Sequence, residues 1–346
     1  MTPDEFLHSI SEAERTERVK RGLPPHHVLD MAEFPFAFAT STFKRFAGAA
    51  AQWAAQTPDD PGPHSINTWA RVLMGDYAGA DEAIKRYQAL SPALPITRMR
   101  FAETVPGDPV ALPPVTGAWP SGPAFFIGCD PVYLRQYGLP LLRSLAANAP
   151  GSAVHVHIMG TDVVALGQLD LRLTLTREDP EPFLRRGVDP KMYYHAVRLV
   201  RFTEALREGG GPLVMSDADA LVTGDPRPLL ALPGGAGLRV RAGRIEPWHH
   251  FSACLIRGAA SGLPYFEAAA DIIRRFMNNP FWGLDQYALF AAYITQKPAL
   301  TLFGPDIAGV VDDVPGLFWF TAGAAKKTLS SSDTPFAALY RRYSAP

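Results

Sequence analysis

Short apolar segments alternate with amphipathic ones along the second part of the chain. Runs of apolar residues predict strands at residues 124–129, 154–159, 171–175, 213–215, 237–241 and 248–256. Helical periodicity predicts helices at 133–148, 191–207 and 262–277, and a turn at 280–289 leads into a further helix. Strands and helices that alternate in this way predict an α/β fold, with a mainly parallel sheet flanked by helices.

The first part of the chain has a different texture. Residues 1–105 are Ala-rich and predict an all-helical domain with a break at 57–65. Residues 66–90 are similar to the turn and second helix of a tetratricopeptide repeat, although an ordinary helical pair would give the same pattern. Residues 106–123 contain six prolines and predict a linker, so 124–346 is the predicted α/β domain with a C-terminal tail.

The predicted strand at 213–215 ends in two nearby carboxylates. Ser216, Asp217 and Asp219 follow its apolar residues directly. Because residues i and i+2 of an extended chain point to the same side, Asp217 and Asp219 can converge just beyond the strand. Open α/β sheets bind ligands at that edge, and paired carboxylates suit a hard divalent cation shared with a diphosphate. The two residues are therefore the candidate site for Mn²⁺ or Mg²⁺.

The helix predicted at 191–207 carries a polar face before this strand. At 100° per residue, Tyr194, Arg198 and Arg201 lie on one side, and the apolar residues lie on another. The polar face has two interpretations: it contacts a ligand, or it is an ordinary solvated helix surface. Glycines at 209–211 end the helix and turn the chain into the strand.

Composition and charge exclude several classes of function. A net charge of −1 and a pI near 6.8 give no basic field, so a nucleic-acid partner is not expected. Cys129 and Cys254 are the only cysteines, and their apolar surroundings fit a reducing compartment. The sequence predicts neither a secretory signal nor a transmembrane segment. Together these observations predict a cytoplasmic protein.

The motifs taken together resemble GT-A fold glycosyltransferases, most closely glycosyltransferase family 8, which includes glycogenin and bacterial galactosyltransferases. The resemblance covers about residues 124–327. It implies that Asp130, after the first strand, meets the nucleotide, and that Arg198 reaches the donor. Asp217 and Asp219 match the metal-binding Asp-x-Asp. Tyr194 and Ser216, which neighbour these positions in the helix and strand, are further nucleotide-binding candidates.

Two later segments extend the resemblance. The Phe-Asn-Ala-Gly segment of the sugar pocket looks like residues 251–254 here, which places Ser252 in the donor pocket. The sequence GLDQYAL matches the segment near the anomeric carbon, which implies that Asp285 and Gln286 are the catalytic pair. The late His-x-x-Gly-x-x-Lys looks like FTAGAAK, in which Lys326 corresponds to the phosphate-binding lysine.

That last segment departs from the family pattern at one position. Phe320 stands where the family has a third metal ligand, and a phenyl ring cannot coordinate a cation. The cation would then have two protein ligands plus phosphate and water, or a substitute ligand from Asp312, Asp313 or His250.

The resemblance implies a hexosyltransferase that uses a nucleotide-diphosphate sugar, most directly a UDP-sugar, with retention of configuration. The acceptor, whether protein, glycan or lipid, stays open, and the helical region suggests a protein partner. One alternative is a non-catalytic helical interaction protein with an inactive transferase domain. Another is a haloacid dehalogenase-type phosphatase, whose pattern fits less well because Leu221 stands where Thr or Val is expected.

Several candidates also have a purely structural interpretation. Asp130 would then form only a turn, Asp285 would only cap a helix with Gln286 exposed beside it, and Lys326 would be a surface residue. Asp217 and Asp219 would be solvated carboxylates at the end of a strand.

Overall fold

The computed structural model describes residues 40–90, 107–240, 251–296, 298–310, 315–321, 326 and 328–344 of the 346-residue chain. These residues divide into two compact units. Unit 1 comprises 40–90, 107–110, 251 and 271–296, and unit 2 comprises the others. The units therefore do not follow the predicted boundaries everywhere, because part of 124–346 groups with the N-terminal region.

The described N-terminal part of unit 1 is helical, as predicted. Its helices are α1 (Thr40–Gln56), α2 (Gly62–Leu73) and α3 (Tyr77–Leu90). Between α2 and α3, Gly75 has a φ of +78°, and Asp76 accepts a hydrogen bond from the Gly79 amide at 3.0 Å. A side-chain acceptor at this position caps α3. The similarity of this helical pair to a tetratricopeptide repeat stays a prediction.

The main sheet of unit 2 is doubly wound. Its strands are β1 (Thr116–Gly117), β2 (Ala124–Cys129), β3 (Ser152–Met159), β4 (Leu171–Glu178), β5 (Leu213–Ser216), β7 (Ala236–Val240), β8 (Phe251–Gly258) and β9 (Leu300–Phe303). Their order across the sheet is β1-β4-β3-β2-β5-β8-β7-β9. The strands β4, β3, β2 and β5 are parallel neighbours, whereas β1 and β8 are antiparallel to β4 and β5. The predicted α/β fold with a mainly parallel sheet is confirmed.

The order of the parallel strands creates a switch point. The chain runs outward from β2 through β3 to β4 and then returns to place β5 on the other side of β2. The carboxyl ends of β2 and β5 therefore flank a crevice at which such sheets bind ligands. The central strands β2 and β5 are buried at every residue, as is typical of parallel strands that are covered on both faces.

Helices and a smaller sheet complete the described architecture. The helices are α4 (Pro131–Tyr133), continued by a π-helical turn (Leu134–Gly138), then α5 (Leu139–Asn148), α6 (Glu181–Leu184), α7 (Pro190–Gly209), α8 (Leu263–Phe276), α9 (Leu284–Gln296) and α10 (Pro335–Ser344). Of these, α9 lies in unit 1, and α8 is divided between the two units. In the smaller sheet, β11 (Phe318–Phe320) lies between β10 (Ala308–Val310) and β6 (Ala220–Val222). No helix among the described residues has the length and apolar character that crossing a bilayer requires.

The Pro-rich segment contributes to unit 2 instead of only connecting domains. Its residues 116–117 form β1, which pairs with β4 at the edge of the sheet. The ring of Trp119 lies 5.3 Å from that of His155, and Arg201 donates to the Pro113 carbonyl at 2.7 Å. Proline is tolerated at a sheet edge because an edge strand can leave an amide unpaired. Part of 106–123 therefore belongs to the sheet of unit 2, and the role of the segment as a linker stays a prediction.

Two buried histidines lie side by side on β3. The ring nitrogens of His155 lie 2.9 Å from the Thr174 hydroxyl and 2.8 Å from the Thr176 hydroxyl. His157 lies 2.9 Å from the same Thr176 hydroxyl. Burial, together with the neighbouring His157, lowers the pKa of His155 from 6.5 to about 3. A hydroxyl can both donate to and accept from a neutral imidazole, so these contacts favour the uncharged form of the two histidines.

We expect this arrangement to make the fold sensitive to acid. Because the pKa of His155 is lowered in the folded chain, the unfolded chain takes up the proton first, and stability falls as the pH drops from 6.5 towards 3. His155→Gln, which cannot titrate, should remove a loss of ~2 kcal/mol between pH 7 and pH 5. Urea unfolding of both proteins at several pH values measures this difference. Parallel pH profiles for the two proteins would contradict the expectation.

Candidate functional site

The candidate site lies where β2 and β5 end side by side. Ile127 and Ser216 are register partners on these parallel strands. Asp130 follows the last residue of β2, and Asp217 follows the last residue of β5. Both carboxylates therefore lie at the carboxyl ends of the parallel strands, which form this edge of the sheet. This edge is the ligand-binding edge of a doubly wound sheet.

Helix α7 brings Arg198 to this edge. Asp189 caps the helix by accepting from the Lys191 amide at 2.8 Å, and Gly210 ends it with a φ of +67°. The helix packs closely on β2 because Gly128 has no side chain. A Cβ atom there would lie 3.0 Å from the Cβ atom of Arg198.

Arg198 is nearly buried and is not part of a solvated helix surface. Its Nη1 donates to Oδ1 of Asp217 in an ion pair, and its side chain is only 11% exposed. The backbone amide of Asp217 donates to the Cys254 carbonyl at 2.8 Å, which fixes the start of the loop after β5. The predicted neighbourhood of Arg198 and Asp217 is therefore present in the structure.

Asp219 forms a second ion pair, with Lys326. The Lys326 ammonium contacts Oδ2 of Asp219 and also donates to the Tyr133 hydroxyl at 2.7 Å. The Tyr133 hydroxyl in turn donates to Oδ2 of Asp219 at 2.7 Å. The three groups form a closed triangle around a carboxylate that is 4% exposed.

The electrostatics of the site follow from this crowding of charges. Burial raises the pKa of Asp217 above its ordinary value, and the nearby Asp219 carboxylate adds to the rise, although the Arg198 guanidinium opposes it. Burial and the Asp219 carboxylate also raise the pKa of Tyr133, which therefore stays a neutral hydrogen-bond donor. The two carboxylates repel each other, and the Arg198 and Lys326 cations offset this repulsion.

The donor set fits a hydrated divalent cation. The side chain of Asp217 is 25% exposed, so one carboxylate of the pair is open to solvent. No cluster of three or more His, Cys, Asp or Glu side chains able to hold a metal occurs in the described part of the chain. Two carboxylates with water and phosphate oxygens suit Mg²⁺ or Mn²⁺, because these ions commonly keep several non-protein ligands.

Phe320 is a core residue beside the loop that carries Asp219, because the Thr321 amide donates to the Asp219 carbonyl at 3.3 Å. Its strand β11 pairs with β6, with Phe320 opposite Ala220, and its ring lies 6.4 Å from that of Phe318. The side chain is 3% exposed in an apolar cluster of unit 2 that also includes Ala218, the residue between the two carboxylates. The expectation that this position supplies no metal ligand agrees with its environment. The suggested substitutes Asp312, Asp313 and His250 lie outside the described residues.

Replacing this phenyl ring by an imidazole should therefore harm the fold without creating a ligand. We expect Phe320→His to cost ~2–4 kcal/mol of unfolding free energy, because a smaller, polar ring would be buried among apolar side chains. Urea unfolding gives the stability, and Mn²⁺ titration of the folded variant gives the affinity. A variant with native stability and tighter Mn²⁺ binding would show that the ring faces the cation site.

Three other predicted nucleotide-binding residues lie near this edge. Asp130 caps α4, accepting from the amides of Val132 and Tyr133 at 2.9 and 3.0 Å. Tyr194 is half-buried on α7, where burial and then the charge of Asp130 raise its pKa. The hydroxyl of Ser216 donates to the Asp217 carbonyl at 3.0 Å. Their side chains lie at the edge, and their role towards a nucleotide stays a prediction.

The predicted sugar-pocket residue Ser252 is buried on β8. Its hydroxyl donates to the Cys254 sulfur at 3.1 Å, and Nη1 of Arg239 lies 3.9 Å from the same sulfur. These side chains form a small polar cluster within unit 2, behind the loop that carries Asp217.

The predicted catalytic pair belongs to unit 1. Asp285 is completely buried at the start of α9, where its Oδ1 accepts from the Gln286 amide at 2.7 Å. The Oε1 atom of Gln286 is buried and has no hydrogen-bond partner in the part of the chain that the structure describes. Asp285 thus has a structural contact at the helix start, and the catalytic roles of Asp285 and Gln286 stay predictions.

Arg201 does not share the site with Arg198, although the two lie on one predicted face. Its guanidinium pairs with Glu178 at the end of β4 and with Glu204 on its own helix. Its side chain is 4% exposed, so the solvated interpretation fails for Arg201 as well.

Tyr133 is the residue that sequence reasoning missed. It was predicted only as the start of a helix, but its hydroxyl contacts both Asp219 and Lys326. A signal was present in the spacing, because Tyr133 follows Asp130 by three residues in the first turn after β2. Side chains of that turn lie at the carboxyl edge of the sheet.

Comparison with known proteins gives structural but not sequence relatives. No protein-family profile matches the sequence, and no curated protein matches it. Three of the solved structures that it resembles are glycosyltransferases. The apo form of the glycosyltransferase GlyE from Streptococcus pneumoniae TIGR4 is 15% identical with a TM-score of 0.46. The alignment covers 65% of this chain and 61% of GlyE, so the chain spans about three fifths of that relative.

Two further structures have similar values. The galactosyltransferase LgtC, solved in complex with donor and acceptor sugar analogues, is 13% identical with a TM-score of 0.45, and the alignment covers 64% of this chain and 95% of LgtC. The bifunctional glycosyltransferase WbbM in its apo form is 13% identical with a TM-score of 0.44, over 65% of this chain and 52% of WbbM.

Proposed function

We propose that this chain is a glycosyltransferase that moves a hexose-type sugar from a nucleotide-diphosphate donor, in the first place a UDP-sugar, to an acceptor. The observation that carries the proposal is the charge arrangement at the switch point. Two carboxylates and two cationic side chains meet there at the edge where doubly wound sheets bind phosphates. A purely structural strand end has no need of four charged groups at one point.

The chemistry of glycosyl transfer requires this kind of site. The bond between the anomeric carbon and the diphosphate breaks through a transition state with positive charge on the sugar ring and growing negative charge on the leaving group. Arg198 and Lys326 supply positive charge for the leaving diphosphate, and contacts with Asp217 and with the Tyr133 hydroxyl hold them in place. Their low exposure strengthens the interaction because water screens it less.

The divalent cation belongs to the same proposal. Asp217 and Asp219 are the residues that would hold Mn²⁺ or Mg²⁺, which acts as a Lewis acid on diphosphate oxygens when it is bound. The Tyr133 hydroxyl donates to the Asp219 carboxylate and so fixes its position next to Lys326. Asp130, Tyr194, Ser216 and Ser252 are proposed to contact the nucleotide and the donor sugar.

Retention of configuration is proposed from the nature of the residue at the predicted catalytic position. Gln286 is a poor nucleophile, so departure and attack on the same face of the sugar are easier to support than a covalent intermediate. In this proposal the carbonyl oxygen of the Gln286 side chain stabilises the positively charged ring. Asp285 then holds the start of α9 in position.

A donor screen tests the proposed function. Purified full-length protein is incubated with a panel of nucleotide sugars and Mn²⁺, and the release of nucleoside diphosphate is measured with and without acceptors. We expect slow hydrolysis of one UDP-hexose without an acceptor and its loss in EDTA. If no donor is bound or turned over, the proposed function is wrong.

The acceptor is tested separately. The helices at 40–90 support a protein acceptor or partner, and co-purification of the full chain with candidate proteins tests this.

The non-catalytic alternative is distinguished by calorimetry together with the transfer assay, because it predicts Mn²⁺-enhanced UDP binding without transfer to any acceptor.

A further inference from the structure

Both carboxylates of the Asp-x-Asp pair are already occupied by side-chain cations. Arg198 contacts Asp217, and Lys326 contacts Asp219. A divalent cation that binds Asp219 has to compete with the Lys326 ammonium for Oδ2 of the same carboxylate. This competition comes from the arrangement of charges in this chain and has a measurable consequence.

We propose that Lys326 is an exchangeable counter-ion, held on Asp219 by Tyr133 in the unliganded protein and transferred to the donor's diphosphate when a divalent cation takes its place. The proposal rests on the proposed function, because it needs both a cation and a diphosphate at this edge. In addition to that function, the exchange gives Tyr133 a role and couples the binding of the divalent cation to the binding of the diphosphate. Tyr133 acts here as a positioning residue.

The burial of Asp219 makes the exchange obligatory. The side chain of Asp219 is 4% exposed and that of Lys326 is 28% exposed. A nearly buried carboxylate without a cation is strongly unfavourable, so Lys326 is kept on Asp219 until another cation arrives. Lys326 is more exposed than its partner, and a lysine stem is flexible, so the ammonium can turn to a ligand while Asp219 stays in place.

Tyr133 determines how firmly Lys326 is held. Its hydroxyl accepts from Lys326 and donates to Asp219, so it keeps the ammonium and the carboxylate together. The ring of Tyr133 packs against Tyr137 with centroids 4.5 Å apart, and Tyr137 packs against Tyr340 of α10 at 6.2 Å. This aromatic packing fixes the position of the Tyr133 hydroxyl. Of Tyr133, Asp219 and Lys326, only Lys326 is then free to move.

Because of this exchange, Lys326 contributes to nucleotide binding only when a divalent cation is bound. Without a divalent cation, Lys326 stays on Asp219 and contributes little to nucleotide binding. With a cation on Asp219, Lys326 is released and binds the diphosphate. A lysine that only binds phosphate would contribute equally under both conditions, and it would not affect metal binding in the absence of nucleotide.

Titration calorimetry of the full chain with MnCl₂ and UDP tests this proposal with Lys326→Met. We expect the variant to bind Mn²⁺ alone about tenfold more tightly than the wild type, because the competing ammonium is gone. Its UDP affinity should fall at least about tenfold with Mn²⁺ present and change less than about threefold in EDTA. Tyr133→Phe, which keeps the ring and Lys326, should bind Mn²⁺ alone about threefold more tightly and is the second variant if Lys326→Met does not fold.

The control is Lys191→Met, which removes an exposed lysine elsewhere in unit 2 and should change neither affinity. Unchanged or weaker Mn²⁺ binding in both Lys326→Met and Tyr133→Phe would overturn the exchange, as would a loss of UDP affinity of equal size with and without Mn²⁺. Either result would leave the transferase proposal standing. Wild-type protein that binds neither MnCl₂ nor UDP would instead remove the proposed function, and the exchange with it.

Discussion

Replacing Asp219 by asparagine is expected to reduce the kcat/KM of glycosyl transfer or donor hydrolysis at least ~100-fold, which is the size of effect that the loss of one transition-state-stabilising interaction commonly has. Asparagine keeps the size of the side chain and an oxygen that can accept from Tyr133. It removes the negative charge that pairs with Lys326 and that would hold a divalent cation. The effect should therefore appear in the rate and in Mn²⁺ dependence, with little change in the fold.

The matched control is Asp225→Asn, a few residues further along the chain. Asp225 is an exposed carboxylate that pairs with Arg227 at 2.7 Å, so its loss should leave activity within about twofold of the wild type. Donor hydrolysis with saturating Mn²⁺ compares the three proteins. Wild-type rates for Asp219→Asn would exclude Asp219 from the mechanism.

The largest effect on stability is expected from Arg201→Met. The guanidinium donates through Nε to Oε2 of Glu178 at 2.7 Å, and the two side chains are 4% and 0% exposed. Burial alone would raise the pKa of Glu178, but the neighbouring His157 and Arg201 together hold it below its ordinary value. Removing Arg201 leaves a buried carboxylate without its main cation, which typically costs ~3–5 kcal/mol.

An exposed pair of the same chemistry provides the control for this prediction. Arg185 lies 2.9 Å from Glu181, with side chains 77% and 48% exposed. Arg185→Met should cost less than ~1 kcal/mol, because water screens the exposed pair. Urea unfolding of both variants measures the difference. Similar losses for the two variants would contradict the buried role of Arg201, and Glu178→Gln in the Arg201→Met background should recover part of the stability.

Much of the fold was predictable because buried parallel strands have a strong sequence signal. Residues 124–129 and 213–215 were predicted as strands, and they form β2 and β5 at the centre of the sheet. The helix predicted at 191–207 is α7, because its cap at Asp189 and its end at Gly210 are local features. The Pro-rich segment was harder, since an extended edge strand and a free linker have similar compositions.

The charged residues of α7 show where sequence reasoning stops. Helical periodicity predicts Arg198 and Arg201 on one face of α7, and both side chains do lie on the face that packs towards the sheet. Their partners come from different strands, since Asp217 follows β5 and Glu178 ends β4. No local pattern distinguishes a guanidinium that faces the switch point from one that pairs with a buried glutamate one strand further along.

Tyr133 and Phe320 illustrate the same limit at the site. The contacts of Tyr133 with Asp219 and Lys326 join residues that are 86 and 193 positions away in the sequence. Phe320 was recognised as unable to coordinate a cation, but its place in the core depends on the pairing of β11 with β6. Long-range pairing of this kind follows from topology and not from periodicity.

A crystal structure of the full chain with UDP and Mn²⁺ tests the central claim most directly. We expect the diphosphate at the ends of β2 and β5, the cation on Asp217 and Asp219, and Lys326 turned from Asp219 to a phosphate oxygen. A diphosphate bound away from this edge, or carboxylates that contact neither the cation nor the nucleotide, would contradict the account.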